Sequence, residues 1–239
     1  MKIFFITGFT TIGDDDYINF DYIKDDITLF YYTRAEKMES IERRLNKEFN
    51  EDTFDWIIAN SMGAFFASRL LARCLQKQNV LFICPYIETN FMTRVTCAIP
   101  LPYIPNWFIL SNLAVRNKFK YVDFFIIYLI ETQLLKSVNK QMNTKAYLET
   151  YKKHNVHVIY WSEDNVAKMS PMTIATLMTT CKVYSIHARH EPFNDDIIIK
   201  NNLKRRVLTI LSSNISYWCL AFYITYILII LRYIKCLPI

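Results

Sequence analysis

Short apolar runs recur along the chain without polar alternation, and segments of helical spacing stand between them. Residues 2–7 (KIFFIT), 27–32 (ITLFYY), 54–60 (FDWIIAN), 79–84 (NVLFIC), 156–161 (VHVIYW) and 182–186 (KVYSI) are rich in β-branched and aromatic residues. They are too short for helices and too uniformly apolar for strands with a wet face. Residues 35–49 set Met38, Ile41, Leu45 and Phe49 at helical spacing among charges, and residues 62–77 carry Phe66, Leu70 and Leu71 in the same way. Buried strands alternating with helices predict an α/β fold, an about six-stranded and mostly parallel sheet covered on both faces.

The rhythm breaks between residues 84 and 156. The segment PYIETNFMTRVTCAIPLPYIPNW holds four prolines, and the apolar stretch VDFFIIYLIETQLL follows it. A long excursion at one end of a parallel sheet predicts a helical cap, placed at about 86–145, or else a helical layer packed on the sheet. Residues 215–231 (ISYWCLAFYITYILIIL) contain no charge and no proline. As a helix they reach roughly 26 Å, the short end of what crosses a bilayer core. Tyr217, Trp218 and Tyr233 stand near the ends, where aromatic anchors belong. The organisation expected is therefore one domain over 1–211 and a single C-terminal transmembrane helix over 215–234.

Composition alters this picture little. The chain has 239 residues, 52% of them apolar, and a net charge of +6. Lys204, Arg205, Arg206, Arg232 and Lys235 flank the apolar tail, which favours a membrane as partner over nucleic acid. No basic stripe interleaved with aromatics tracks a phosphate backbone. With Lys200, the basic residues before the tail outnumber those after it, so the main domain is expected on the cytosolic side. The six cysteines at 74, 84, 97, 181, 219 and 236 show no CxxC spacing, which reads as thiols in a reducing compartment. The N-terminal run lacks a small-residue cleavage site and reads as a strand, not a signal peptide.

Glycine is scarce, with three in the chain, and that makes each informative. Gly63 stands two residues after Ser61, in DWIIANSMGAFFASRLL. A buried strand ends at Asn60 and a helix begins near Met62, so Ser61 projects from the carboxyl edge of the sheet, where ligands bind in such folds. The turn there is sharp enough to demand small neighbours, and Ala59 and Gly63 supply them. This is the strand–serine–helix spelling of the nucleophile elbow, with alanine for its first glycine.

On these residues the chain resembles the α/β-hydrolase family of serine esterases and lipases. The resemblance implies an oxyanion loop after the first strand, where FFITGFT places Gly8, with Thr7 where histidine is common. Phe9 N–H and Met62 N–H would then form the oxyanion hole. It implies a catalytic acid after the strand VHVIYW: Asp164 in SEDNV matches, with Glu163 and Glu88 as alternatives. It implies a base in KVYSIHARHEPF, where His190 matches and His187, at the strand end, is expected to pack inward. The order Ser61, Asp164, His190 is that of the family. His154 and His157 flank the start of a strand elsewhere. His187, His190 and Cys181 match no zinc spacing, and GDDDY at 13–17 reads as a solvated turn, so no metal and no cofactor is expected.

The function expected is hydrolysis of an ester or thioester, of a small acyl ester or a lipid, by a membrane-anchored serine hydrolase. A hydrolase-like protein without activity, serving as a membrane-bound binding or scaffold protein, is the reading from another class. The spelling of the site leaves hydrolysis and acyl transfer undivided.

Overall fold

The structure is a computed structural model, and it describes residues 1–8, 23, 26–33, 36–89, 134–164, 167–188 and 201–212. Six strands carry the fold: β1 (Lys2–Ile6), β2 (Asp26–Phe30), β3 (Trp56–Asn60), β4 (Asn79–Ile83), β5 (Asn155–Trp161) and β6 (Lys182–Ile186). Each falls within two residues of its predicted run. They form one sheet in the order β2-β1-β3-β4-β5-β6, every neighbouring pair parallel. The sheet is thus wholly parallel among the described residues. The central strands β1, β3 and β4 have almost no water on either face, whereas the edge strand β6 exposes Lys182 and Ser185. That difference is why the central runs are unbroken apolar stretches and β6 is mixed.

Helices α1 (Met38–Asn50), α2 (Gly63–Leu71), α3 (134–141), α4 (Thr144–Tyr151), α5 (Pro171–Thr180) and α6 (201–212) are described. Helix α1 buries Met38, Ile41 and Leu45, the stripe its spacing predicts, with Phe49 packed beside Phe4 and Phe54. Glu42, beside this stripe, joins α1 to α2 and to the turn after it by accepting from Arg69 and Arg73. Helix α2 packs on β1 and β3 and is almost wholly buried, Ser68 included. The Ser68 hydroxyl lies 2.5 Å from the phenol oxygen of buried Tyr151 on α4, a polar pair that satisfies two groups which would otherwise be costly inside. Helix α5 has its start fixed by its sequence. Ser170 caps its N-terminus by accepting from Thr173 N–H, and Pro171 fills the first turn, where a missing N–H costs nothing.

Two expectations about elements change. The helix predicted over 62–77 stops at Leu71. Arg73 and Cys74 donate to Leu70 and Leu71 in a tight last turn, and Leu75 beyond it is fully exposed. Residues 73–78 supply no further buried position, so nothing holds a longer helix against the sheet. Of the excursion expected at 86–145, residues 90–133 lie outside the described residues. Its described end, α3, buries Leu134 and Val138, and Asn139 accepts from the Tyr86 hydroxyl at 2.6 Å. No described helix is long and apolar enough to cross a membrane, and the segment 215–234 lies outside the described residues.

Trp56, His157 and Tyr184 line up across one face of the sheet, the His157 ring 5.7 Å from Trp56 and 6.2 Å from Tyr184. Arg206 on α6 lies over Tyr184 at 5.6 Å, so α6 covers this face. His157 is 1% exposed, and neither ring nitrogen has a hydrogen-bond partner among the described residues. Burial, with a smaller push from Lys182, lowers its pKa to about 4. Between pH 6.5 and 4 the unfolded chain therefore takes up a proton that the native chain refuses. Stability is expected to fall across that window as pH drops, by roughly 3 kcal/mol in all. His154, also held low by burial, adds in the same direction. Urea unfolding of wild type and His157→Phe at pH 7 and pH 4.5 checks this: the variant is expected to lose less stability on acidification. Equal losses in the two proteins would contradict it.

Candidate active site

The carboxyl edge of the sheet gathers the residues singled out by the sequence. At the end of β3 the backbone of Ser61 takes the left-handed conformation, φ 47°. Such a conformation costs a residue with a side chain about 1–2 kcal/mol, so surrounding structure must impose it. The clamps are identifiable. Ser61 N–H donates to Ile83 C=O on β4 at 2.9 Å, and Ser61 C=O accepts from Tyr86 N–H at 2.9 Å and from Ala64 N–H at 3.1 Å. Met62 then opens helix α2.

Gly63 explains its own presence. A Cβ on it would lie 2.5 Å from Thr7 C=O and 2.6 Å from Ile6 C=O. The end of β1 therefore rests directly on the first turn of α2, and only a bare Cα leaves room. Ala59 is fully buried two residues before the serine. The smallness demanded by the elbow thus comes from the crossing of β1, α2 and β3. Thr7, where histidine is common in the resembled family, is fully buried, and its N–H donates to Phe30 C=O at 3.1 Å. Met62 is buried, and its N–H stands at the start of α2, ahead of the Ala64 and Phe65 N–H groups, which bond Ser61 C=O and Met62 C=O. That N–H and the positive end of the helix suit a developing oxyanion beside Ser61.

The three candidate acids separate cleanly. Glu163 is half exposed and faces His187 at 3.4 Å. Glu88 accepts from Ser170 N–H at 2.8 Å and so serves the start of α5. Asp164 alone of the three is buried, at 5% exposure. Its Oδ1 accepts from Ala167 N–H at 2.8 Å and its Oδ2 from the Cys84 thiol at 2.5 Å. Apart from its place at the last position of a strand run, directly before Pro85, nothing in the sequence marks this use of Cys84, one of six scattered thiols. Its backbone too is left-handed, φ 49°, and its N–H donates to Ile159 C=O at 2.7 Å.

His187 does not pack inward. Its side chain is 81% exposed, with Nδ1 3.2 Å from the Ser162 hydroxyl and Nε2 facing Glu163. The cause is strand alternation running on past β6: Ile186 and Ala188 take the buried positions and His187 falls between them. The loops after β5 and β6 are nevertheless joined. Ser162 N–H donates to Ile186 C=O at 3.0 Å and Glu163 N–H to Ala188 C=O at 3.1 Å. The turn bearing Asp164 is thus held against the chain two residues before His190. His190 itself and Phe9 lie outside the described residues. The ends of β3 and β5, which present Ser61 and Asp164, are two strand spacings apart, about 10 Å.

No protein-family model and no curated protein matches the chain. Solved structures do. A carboxylesterase of the thaumarchaeon Nitrososphaera gargenis is 15% identical with a TM-score of 0.53, covering 89% of this chain and 91% of its own. An enol-lactonase from Burkholderia xenovorans is 12% identical with a TM-score of 0.54, covering 88% and 91%. A thioesterase of the prodiginine pathway of Streptomyces coelicolor is 9% identical with a TM-score of 0.54, covering 87% and 85%. These similar structures are all α/β-hydrolases. With its parallel six-stranded sheet and the left-handed serine between β3 and α2, the chain has the α/β-hydrolase fold.

Proposed function

We propose that this protein is a serine hydrolase that cleaves an ester or thioester of a lipid-like acyl group. The observation that carries the reading is the strained backbone of Ser61 at the carboxyl edge of the sheet, φ 47°, fixed by β4 and by the first turn of α2. A left-handed non-glycine residue at such a place is strain kept where chemistry uses it. Ser61 Oγ is the nucleophile. His190 takes its proton, and ionised Asp164 holds the imidazole in the tautomer that accepts it. The N–H groups of Met62 and Phe9 receive the negative charge that forms on the carbonyl oxygen. His190 then protonates the leaving group, and water deacylates Ser61 by the reverse proton path. No metal or cofactor enters these steps. The names of similar structures, a carboxylesterase, an enol-lactonase and a thioesterase, all describe acyl chemistry and support the reading.

The lipid-like substrate rests on the apolar residues of the 86–145 segment and on the expected anchor at 215–234, which would hold the domain at a membrane, on its cytosolic side. A fluorophosphonate probe tests the reading with the full chain in detergent. Wild type is expected to be labelled, and Ser61→Ala and His190→Ala to remain unlabelled. Labelling that persists in Ser61→Ala would refute the assignment of the nucleophile. Among p-nitrophenyl esters, turnover is expected to rise with acyl length, and a preference for acetate would count against the lipid.

A further inference from the structure

We propose that Cys84 is a positioning residue for the hydrolase, its thiol holding the Asp164 carboxylate at the angle the catalytic imidazole needs. The inference rests on the reading of Ser61 and Asp164 given above and adds a residue to it. The contact is buried on both sides: Cys84 is 3% exposed, Asp164 is 5% exposed, and the thiol reaches Oδ2 at 2.5 Å. Ala167 N–H holds the other oxygen at 2.8 Å. Donors on both oxygens hold the plane of a carboxylate more firmly than a donor on one.

There is somewhere for it to swing. A cavity of about 180 Å³ borders the carboxylate, lined by Cys84, Pro85, Trp161, Asp164, Ala167 and Met169 among others. Without the thiol, Asp164 would have the space to turn into this cavity. Cys84 also occupies its place at a cost, since it is left-handed without being glycine and is followed by Pro85, which bars the ordinary helical alternative. The kink aims the side chain at the loop after β5, and Cys84 N–H bonds β5 at Ile159 C=O. A buried thiol suits the task. Burial first, and then the neighbouring Asp164 carboxylate, raise its pKa well above the ordinary thiol range. It therefore stays protonated and donates, and it is not a competing nucleophile.

The test compares Cys84→Ala, which removes the donor, with Cys84→Ser, which keeps one of similar size. Both keep a Cβ and so face the same backbone demand. On p-nitrophenyl butyrate, Cys84→Ala is expected to lose about ten- to a hundredfold in kcat with KM within about twofold, the mark of misaligned chemistry and not of lost binding. Cys84→Ser is expected to recover most of the loss. A double-variant cycle with Asp164→Asn, read by Tm, tests the contact without needing activity: the two changes together are expected to lower Tm by clearly less than their sum. An active Cys84→Ala enzyme with wild-type kcat overturns the proposal, as does a serine variant as impaired as the alanine one. Additive Tm changes in a labelled, active protein overturn the thiol contact alone. An unlabelled wild type with coupled Tm changes overturns the hydrolase reading, and with it the positioning role, while the contact stands.

Discussion

Gly63→Ala is expected to lower stability by roughly 3 kcal/mol, enough to leave little of the margin of an ordinary domain. In most helices the same change is mildly stabilising, by up to about 1 kcal/mol, because alanine restricts the unfolded chain and fits the helix. Here the sign reverses for a stated reason. The added methyl would sit 2.5 Å from one main-chain carbonyl oxygen of the β1 end and 2.6 Å from another. Neither oxygen is free to retreat, because β1 is paired on both sides, with β2 and β3, and Thr7 N–H is bonded to Phe30. The clash must be relieved by moving α2 off the sheet, and α2 carries Phe65, Phe66, Leu70 and Leu71 in the core. Urea denaturation measures the effect. A Gly63→Ala protein as stable as wild type would mean that β1 and α2 do not cross as closely as described.

The second large effect concerns Ser61, where stability and turnover are expected to move in opposite directions. Ser61→Ala and Ser61→Gly both remove the nucleophile, and ester turnover is expected to drop on the order of 10⁵-fold or more in each. They differ in the backbone. Alanine inherits the left-handed strain, whereas glycine adopts φ 47° without a steric penalty. Release of about 1–2 kcal/mol of strain, offset by the greater freedom of glycine in the unfolded chain, leaves a net gain of roughly 0.5–1 kcal/mol. In a domain of this size that is an increase of about 2 °C in Tm. The comparison to make is Ser61→Gly against Ser61→Ala, both inactive. Equal melting temperatures would show that no strain is held at position 61.

How far the site was legible follows from what each signal encodes. Ser61 could be found because glycine is rare in the chain, so Gly63 after a buried run had to answer a spatial demand. Asp164 stands in the turn after the strand VHVIYW, where the family resemblance expects an acid, and its burial separates it from Glu163 and Glu88. The strands were legible for a related reason: central strands of a parallel sheet have no wet face, so their sequences are bare apolar runs. Cys84 was not legible. Apolar patterning records which side chains avoid water, and a buried thiol satisfies that whether or not it donates to anything. The inward packing expected of His187 from its place at the strand end fails because alternation past Ile186 decides its direction. The end of α2 was missed since propensity runs on through residues 72–77, while the sheet beneath gives that stretch nothing to cover.

The loops at the carboxyl edge share one further property. Ser61 bonds to the last residue of β4, Cys84 to β5 and Ser162 to the last residue of β6, each strand lending its neighbour one more rung as the chain departs. Positions along the edge are therefore indexed to one another like the teeth of a rack. A single-residue insertion in β6, remote from the serine, would displace the acid-bearing turn before it disturbed the interior, because that turn takes its alignment from the outermost strand.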